Sequence, residues 1–131
     1  MTANINAIYP KTPNVGVAVL GTGNTNRTVT GVTGLTLLMT AGANGTRVDS
    51  ITLAATGTTT AGVIRLWYYT GSGNATLWEE DLVSAITPSA SVAVFSKEVL
   101  PVNWSLPAGS FLYASTHNSE AFAITARGGD Y

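Results

Sequence analysis

Turn-forming Gly, Asn, Thr and Pro residues punctuate this chain every 8 to 12 positions. Between them, no window holds apolar residues at the i, i+3, i+4, i+7 spacing of a helix. Short alternating runs separated by turns at that interval cannot build a helical bundle or a doubly wound sheet. They specify an all-β sandwich or barrel. The runs fall at Val15 to Leu20, Leu35 to Thr40, Thr46 to Ala55, Ala61 to Tyr69, Ala75 to Val83, Val92 to Leu100, Ser110 to Ser115 and Glu120 to Arg127. About eight strands in 131 residues fit two four-stranded sheets packed face to face, a jelly-roll-like β-sandwich.

Within these runs, three local expectations are specific. The Asn44-Gly45 pair favours positive φ and predicts a hairpin between the second and third strands. In the third, Val48 has the opposite parity to Ile51 and Leu53, so all three face inward only if a bulge near Asp49-Ser50 resets the period. In the fourth, Ile64, Leu66 and Tyr68 share one face, and Arg65, Trp67 and Tyr69 share the other. Residues 21–34 are a low-complexity Gly/Asn/Thr stretch with a short pairing segment at Thr28-Val29-Thr30. Before Val15, Pro10 and Pro13 predict an extended N-terminal arm over residues 1–14 rather than core, with residues 15–131 as the single sandwich domain.

Charge is where the composition speaks. Charged residues make up 10% of the chain, against about 25% in an ordinary soluble domain. The positions they would fill carry polar, uncharged side chains, among them 20 Thr. Six Lys+Arg against seven Asp+Glu give no polybasic footprint, so nucleic acid is not an expected partner. With no Cys, disulfides and thiolate metal sites are excluded. The first residues, Met1 to Asn6, show neither a basic nor an apolar signal region, and no apolar run approaches the roughly 20 residues of a membrane helix. A soluble product made in the cytoplasm, with no membrane partner, is the expectation.

Candidate chemistry is thin. The lone histidine, His117, lies in the turn Thr116-His117-Asn118-Ser119, with no Gly-x-Ser-x-Gly elbow to pair it with a nucleophile. Strand alternation lets Glu79 and Asp81 converge while Glu80 points away. That pairing could suit sugar cleavage or calcium, but a solvated strand or an acidic patch is the plainer reading. Gly21-Thr22-Gly23-Asn24-Thr25-Asn26 lacks both the third glycine and the following helix of a phosphate loop. Trp67, Trp78 and Trp104 with Tyr68, Tyr69 and Tyr113 form a candidate aromatic platform, and Trp67 and Tyr69 are expected at the surface or an interface. Neither an enzyme nor a cofactor is expected.

Thr40-Ala41-Gly42-Ala43-Asn44-Gly45-Thr46-Arg47-Val48-Asp49, then Ala54-Ala55-Thr56-Gly57-Thr58, Leu106-Pro107-Ala108-Gly109 and Gly129-Asp130-Tyr131 occur in this order after the strand at residues 35–40. Across residues 35–131 the chain resembles a family of small tailed-phage virion proteins, jelly-roll-like capsid decoration (cement) proteins. The resemblance implies a structural protein of the capsid surface, assembled in the host cytoplasm, bound to the major capsid protein and to itself as a homotrimer or other symmetric oligomer. It carries no active-site motif. Ile5, Ile8, Tyr9, Trp67, Tyr69 and Trp78 are the expected capsid or subunit contacts. A receptor- or carbohydrate-binding module of a phage tail or fibre is the alternative reading, with Trp67, Tyr69 or Trp78 as its stacking platform.

Overall fold

The computed structural model describes residues 9–131. They form nine strands: β1 (Thr12–Leu20), β2 (Thr36–Thr40), β3 (Thr46–Ala55), β4 (Gly62–Tyr69), β5 (Thr76–Val83), β6 (Ser96–Val99), β7 (Trp104–Leu106), β8 (Phe111–Thr116) and β9 (Phe122–Asp130). One antiparallel sheet has the order β1-β9-β3-β6, with β7 also on β3, and the other the order β2-β8-β4-β5. β6 pairs with Ile51–Ala54 of β3 and β7 with Thr46–Val48, so the two pieces fill a single lane. With that lane counted once, the chain passes between two four-lane sheets in the order of a jelly roll. Among the described residues no helix is long and apolar enough to cross a membrane.

The inner faces close one core. The pairing of β3 with β9 shifts between Val48 and Ser50, which makes Asp49 the extra residue of a bulge. Val48, Ile51 and Leu53 are consequently all fully buried, as the sequence pattern requires. A strand without the bulge would expose part of this set and forfeit about 1.5–3 kcal/mol for each large side chain turned outward. Opposite, Phe122, Ile124 and Ala126 of β9 and Ile64 and Leu66 of β4 complete the same cluster.

The ninth strand arises because one lane is broken. Between β6 and β7 the chain holds a cis Leu100–Pro101 bond and Asn103 at φ 48°, while Val102 N–H reaches Asp49 O at 3.0 Å, beside the β3 bulge. β6 itself is shorter than the run at residues 92–100 suggests, because Ser89 and Val92 turn on each other.

Two further expectations are corrected. Asn44-Gly45 does not make a hairpin, because β2 and β3 lie in different sheets. Gly45, at φ 94°, donates its N–H to Gly42 O at 3.0 Å, and this tight turn is the corner where the chain changes sheet. The positive φ was legible; the partner strands were not, since β2 pairs with β8 and β3 with β9. The first strand also starts earlier than Val15: Thr12 pairs with Asp130 and Pro13 with Gly129. A proline is tolerated there because β1 is an edge strand and the missing N–H falls on its open side.

Residues 21–35 contain no strand, and Thr28-Val29-Thr30 pairs with nothing in a ladder. The segment lies across the outer face of the β2-β8-β4-β5 sheet. Asn24 N–H donates to Thr116 O at 2.8 Å, Ala75 N–H to Gly31 O at 2.8 Å, and Gly31 N–H to Asn74 Oδ1 at 2.8 Å. These bonds tie the segment down at β8 and beside β5.

Candidate functional site

The covered outer face holds a charged cluster. Arg65 and Glu80 are cross-strand partners of β4 and β5. Arg65 Nε donates to Glu80 Oε1 at 2.7 Å, and Arg27 Nε of the overlying segment donates to the same oxygen at 2.6 Å. Hydrogen bonds from Arg27, and then from Arg65, hold the Glu80 carboxyl below the ordinary carboxylate range. Arg65 Nη1 also donates to Asn24 O at 3.1 Å. Two cations on one carboxylate leave the cluster net positive. Beside it is a cleft of about 390 Å³ lined by Thr25, Arg27, Gly62, Val63, Arg65, Leu82 and His117.

His117 sits half-buried at the edge of that cleft, with Nδ1 sealed off and unpaired. Neither neighbouring serine is held against its ring. Ser115 Oγ accepts from Trp67 Nε1 at 3.0 Å, and Ser119 Oγ accepts from Gly23 N–H at 3.0 Å. The arrangement has a cationic wall and a buried imidazole nitrogen, but no hydrogen-bonded nucleophile–base pair.

The acidic trio divides by strand alternation. Glu80 turns outward to the arginines, and Asp81 faces inward, buried, where Lys97 Nζ of β6 donates to it across the sandwich. Burial, and then the nearby Asp81 charge, raise the Glu79 carboxyl above its ordinary value, with Lys97 opposing. The bond to Asp81 raises Lys97 in turn. This cluster ties one sheet edge to the other. Among the described residues no group of three or more His, Asp or Glu is placed to hold a metal ion.

The aromatic residues separate into two groups rather than one platform. Trp78 is the extra residue where the β4–β5 pairing shifts, and its ring lies 4.8 Å from that of Trp104, itself 4.8 Å from Tyr68. This half-buried stack packs against the core. Tyr69 instead joins Phe111 and Tyr113, at 5.9 Å and 6.0 Å, as a partly exposed group on the other face. Trp67 is corrected outright: it is 0% exposed. At Arg65 and Trp67 the face opposite Ile64 and Leu66 is not open, because residues 21–35 lie across it; at Tyr69 it reaches solvent. Of the other expected contacts, Tyr9 is well exposed, while Ile5 and Ile8 lie outside the described residues.

One surface carries no chemistry and much apolar area. Val15, Val17 and Val19 of β1 are 60%, 57% and 73% exposed, with Leu37 of β2 also exposed nearby in the fold. By its sequence this run is an ordinary strand. The signal was present: Gly16 and Ala18 take the inward positions while the larger valines take the outward ones. No protein-family model matches the chain, and no curated protein matches it.

Proposed function

We propose that this chain is a capsid decoration (cement) protein, a structural protein of a tailed-phage virion that binds the major capsid protein and stabilises the head as a symmetric oligomer. The disposition of charge carries the reading. Five of the six cations are engaged with acids of the same chain, through Arg27 and Arg65 on Glu80, Arg47 on Asp49, Lys97 on Asp81 and Arg127 on Glu98. A rigid sandwich that neutralises its own charges and leaves an apolar, Thr-rich exterior can be laid against neighbours without stripping water from isolated ions. The motifs at residues 40–49 and 106–109 support the virion assignment by resemblance.

A density map of the intact virion tests this. The protein is expected on the head, at repeated lattice positions; a location confined to the tail overturns the reading. One observation favours the tail-module alternative, the partly exposed group of Tyr69, Phe111 and Tyr113, since sugars stack on such rings. A glycan array without hits removes it.

A further inference from the structure

A β-sandwich has open edges, and native proteins blunt them with short strands, bulges and charges. Three of the edges here are blunted in this way. β2 has five residues and a register shift between Leu37 and Met39. β5 is bulged at Trp78 and carries Glu79, Glu80 and Asp81. The β6/β7 lane is broken between Val99 and Trp104. β1 is different. Its nine residues run in unbroken register along β9, and none of them is charged.

The backbone direction of β1 follows from two observations. Tyr131 N–H bonds Gly45 O at 3.2 Å, which turns the odd-numbered residues of β9 toward β3. Pro13, opposite Gly129, has no N–H to offer a neighbour. The even-numbered residues of β1 therefore bond β9, and Val15, Val17 and Val19 aim their N–H and C=O groups at the open side. The same three residues expose their side chains. Strand-pairing groups and apolar area thus coincide on one edge.

Charge selects the occupant. Across the ladder from the valines stand Arg127, Thr125 and Ala123, and β2 behind them has no charged residue. Arg127 is already engaged by Glu98 and Thr52, so a charged partner segment would be desolvated here with little to offset the cost, whereas another uncharged β1 carries no such cost. We propose that β1 is where copies of this chain meet, the strand edge of one copy laid antiparallel along that of another. This rests on the self-association in the function proposed above, but not on the capsid. Edge-to-edge contact is isologous, so it requires an even number of chains, which among the symmetric oligomers the family resemblance implies excludes the trimer.

The mass of the full chain in solution, by light scattering or native mass spectrometry, is the test. Twice the chain mass is expected, with Val17→Lys returning a folded monomer whose melting temperature no longer depends on protein concentration, and Leu82→Lys, on another exposed surface, leaving the dimer intact. Should Val17→Lys fail to fold, Val17→Cys serves instead. The chain has no cysteine of its own, so interchain crosslinking at position 17 but not in Leu82→Cys supports the contact. A monomeric or trimeric wild type, or undiminished association of Val17→Lys, overturns it. So does a monomer that associates only when residues 1–8 are removed, since that segment would then be the occupant. Loss of capsid binding without change of mass assigns β1 to the capsid instead and also overturns it. A β1-linked dimer absent from virions would leave this inference standing and remove the proposed function.

Discussion

The two sheets share one core, yet their outer faces treat their side chains in opposite ways. On β4, Arg65 and Trp67 point away from the core and are nevertheless buried, under residues 21–35. On β1, Val15, Val17 and Val19 also point away from the core and stay in solvent, although they are the more hydrophobic set. Hydrophobicity alone does not decide burial in a sandwich; what lies over each face does. The chain spends its long loop, with Arg27 as its one charge, on covering one sheet and leaves the edge of the other open.

Substitutions can break this contrast. Trp67→Ala on the covered face carries the largest expected loss, about 3–5 kcal/mol, because a fully buried ring is removed and Ser115 Oγ loses its donor. It is read as a large drop in the denaturation midpoint; a cost near zero would mean that the loop does not hold its place. Next is Gly16→Ala, on the inner side of β1. An added Cβ would lie 2.0 Å from Leu38 O, a backbone atom that cannot swing aside, and about 1–3 kcal/mol of destabilisation is expected. Gly21→Ala, with nothing near its Cβ position, is the control and is expected to be nearly neutral.

Acid should act mainly on the covered face. Glu80 is held below its ordinary pKa, so its stabilisation is full above the usual carboxylate range and is lost as pH falls through the lowered value. Glu79 is raised, so its protonation opposes that loss and comes first on acidification. Unfolding midpoints measured against pH should therefore decline only in the more acid part of the range, and Glu80→Gln should flatten that decline. The smallest effect belongs to the open edge: Val17→Thr in the isolated chain should change stability by no more than about 0.5 kcal/mol, since an exposed residue is exchanged for another β-branched one. A substantially larger loss at concentrations where the chain is monomeric would show that β1 is covered within its own chain.

The class of fold and the bulge at Asp49 were legible in the sequence because both are written in local parity, which strands obey whatever their partners. The inward set of β9 was legible for the same reason. The corner at Asn44-Gly45, the burial of Trp67 and the strand at Trp104–Leu106 were not. Each depends on a segment distant in sequence: β8 and β9 claim the edges a hairpin would have used, residues 21–35 cover Trp67, and β3 recruits Trp104, Ser105 and Leu106. The Arg27–Glu80–Arg65 cluster joins residues 53 positions apart, and no spacing rule announces it.

The pairing of β1 with β9 has a consequence in time. Asn14 donates to Asp130 across 116 positions, so a ribosome releases β1 long before it makes the strand that β1 binds. Throughout that interval both edges of β1 are vacant, and closing so long a loop is slow compared with forming local contacts. Nascent chains crowded on one message would meet through the same valines, and the order in which β1 finds its two neighbours would decide between folded protein and aggregate.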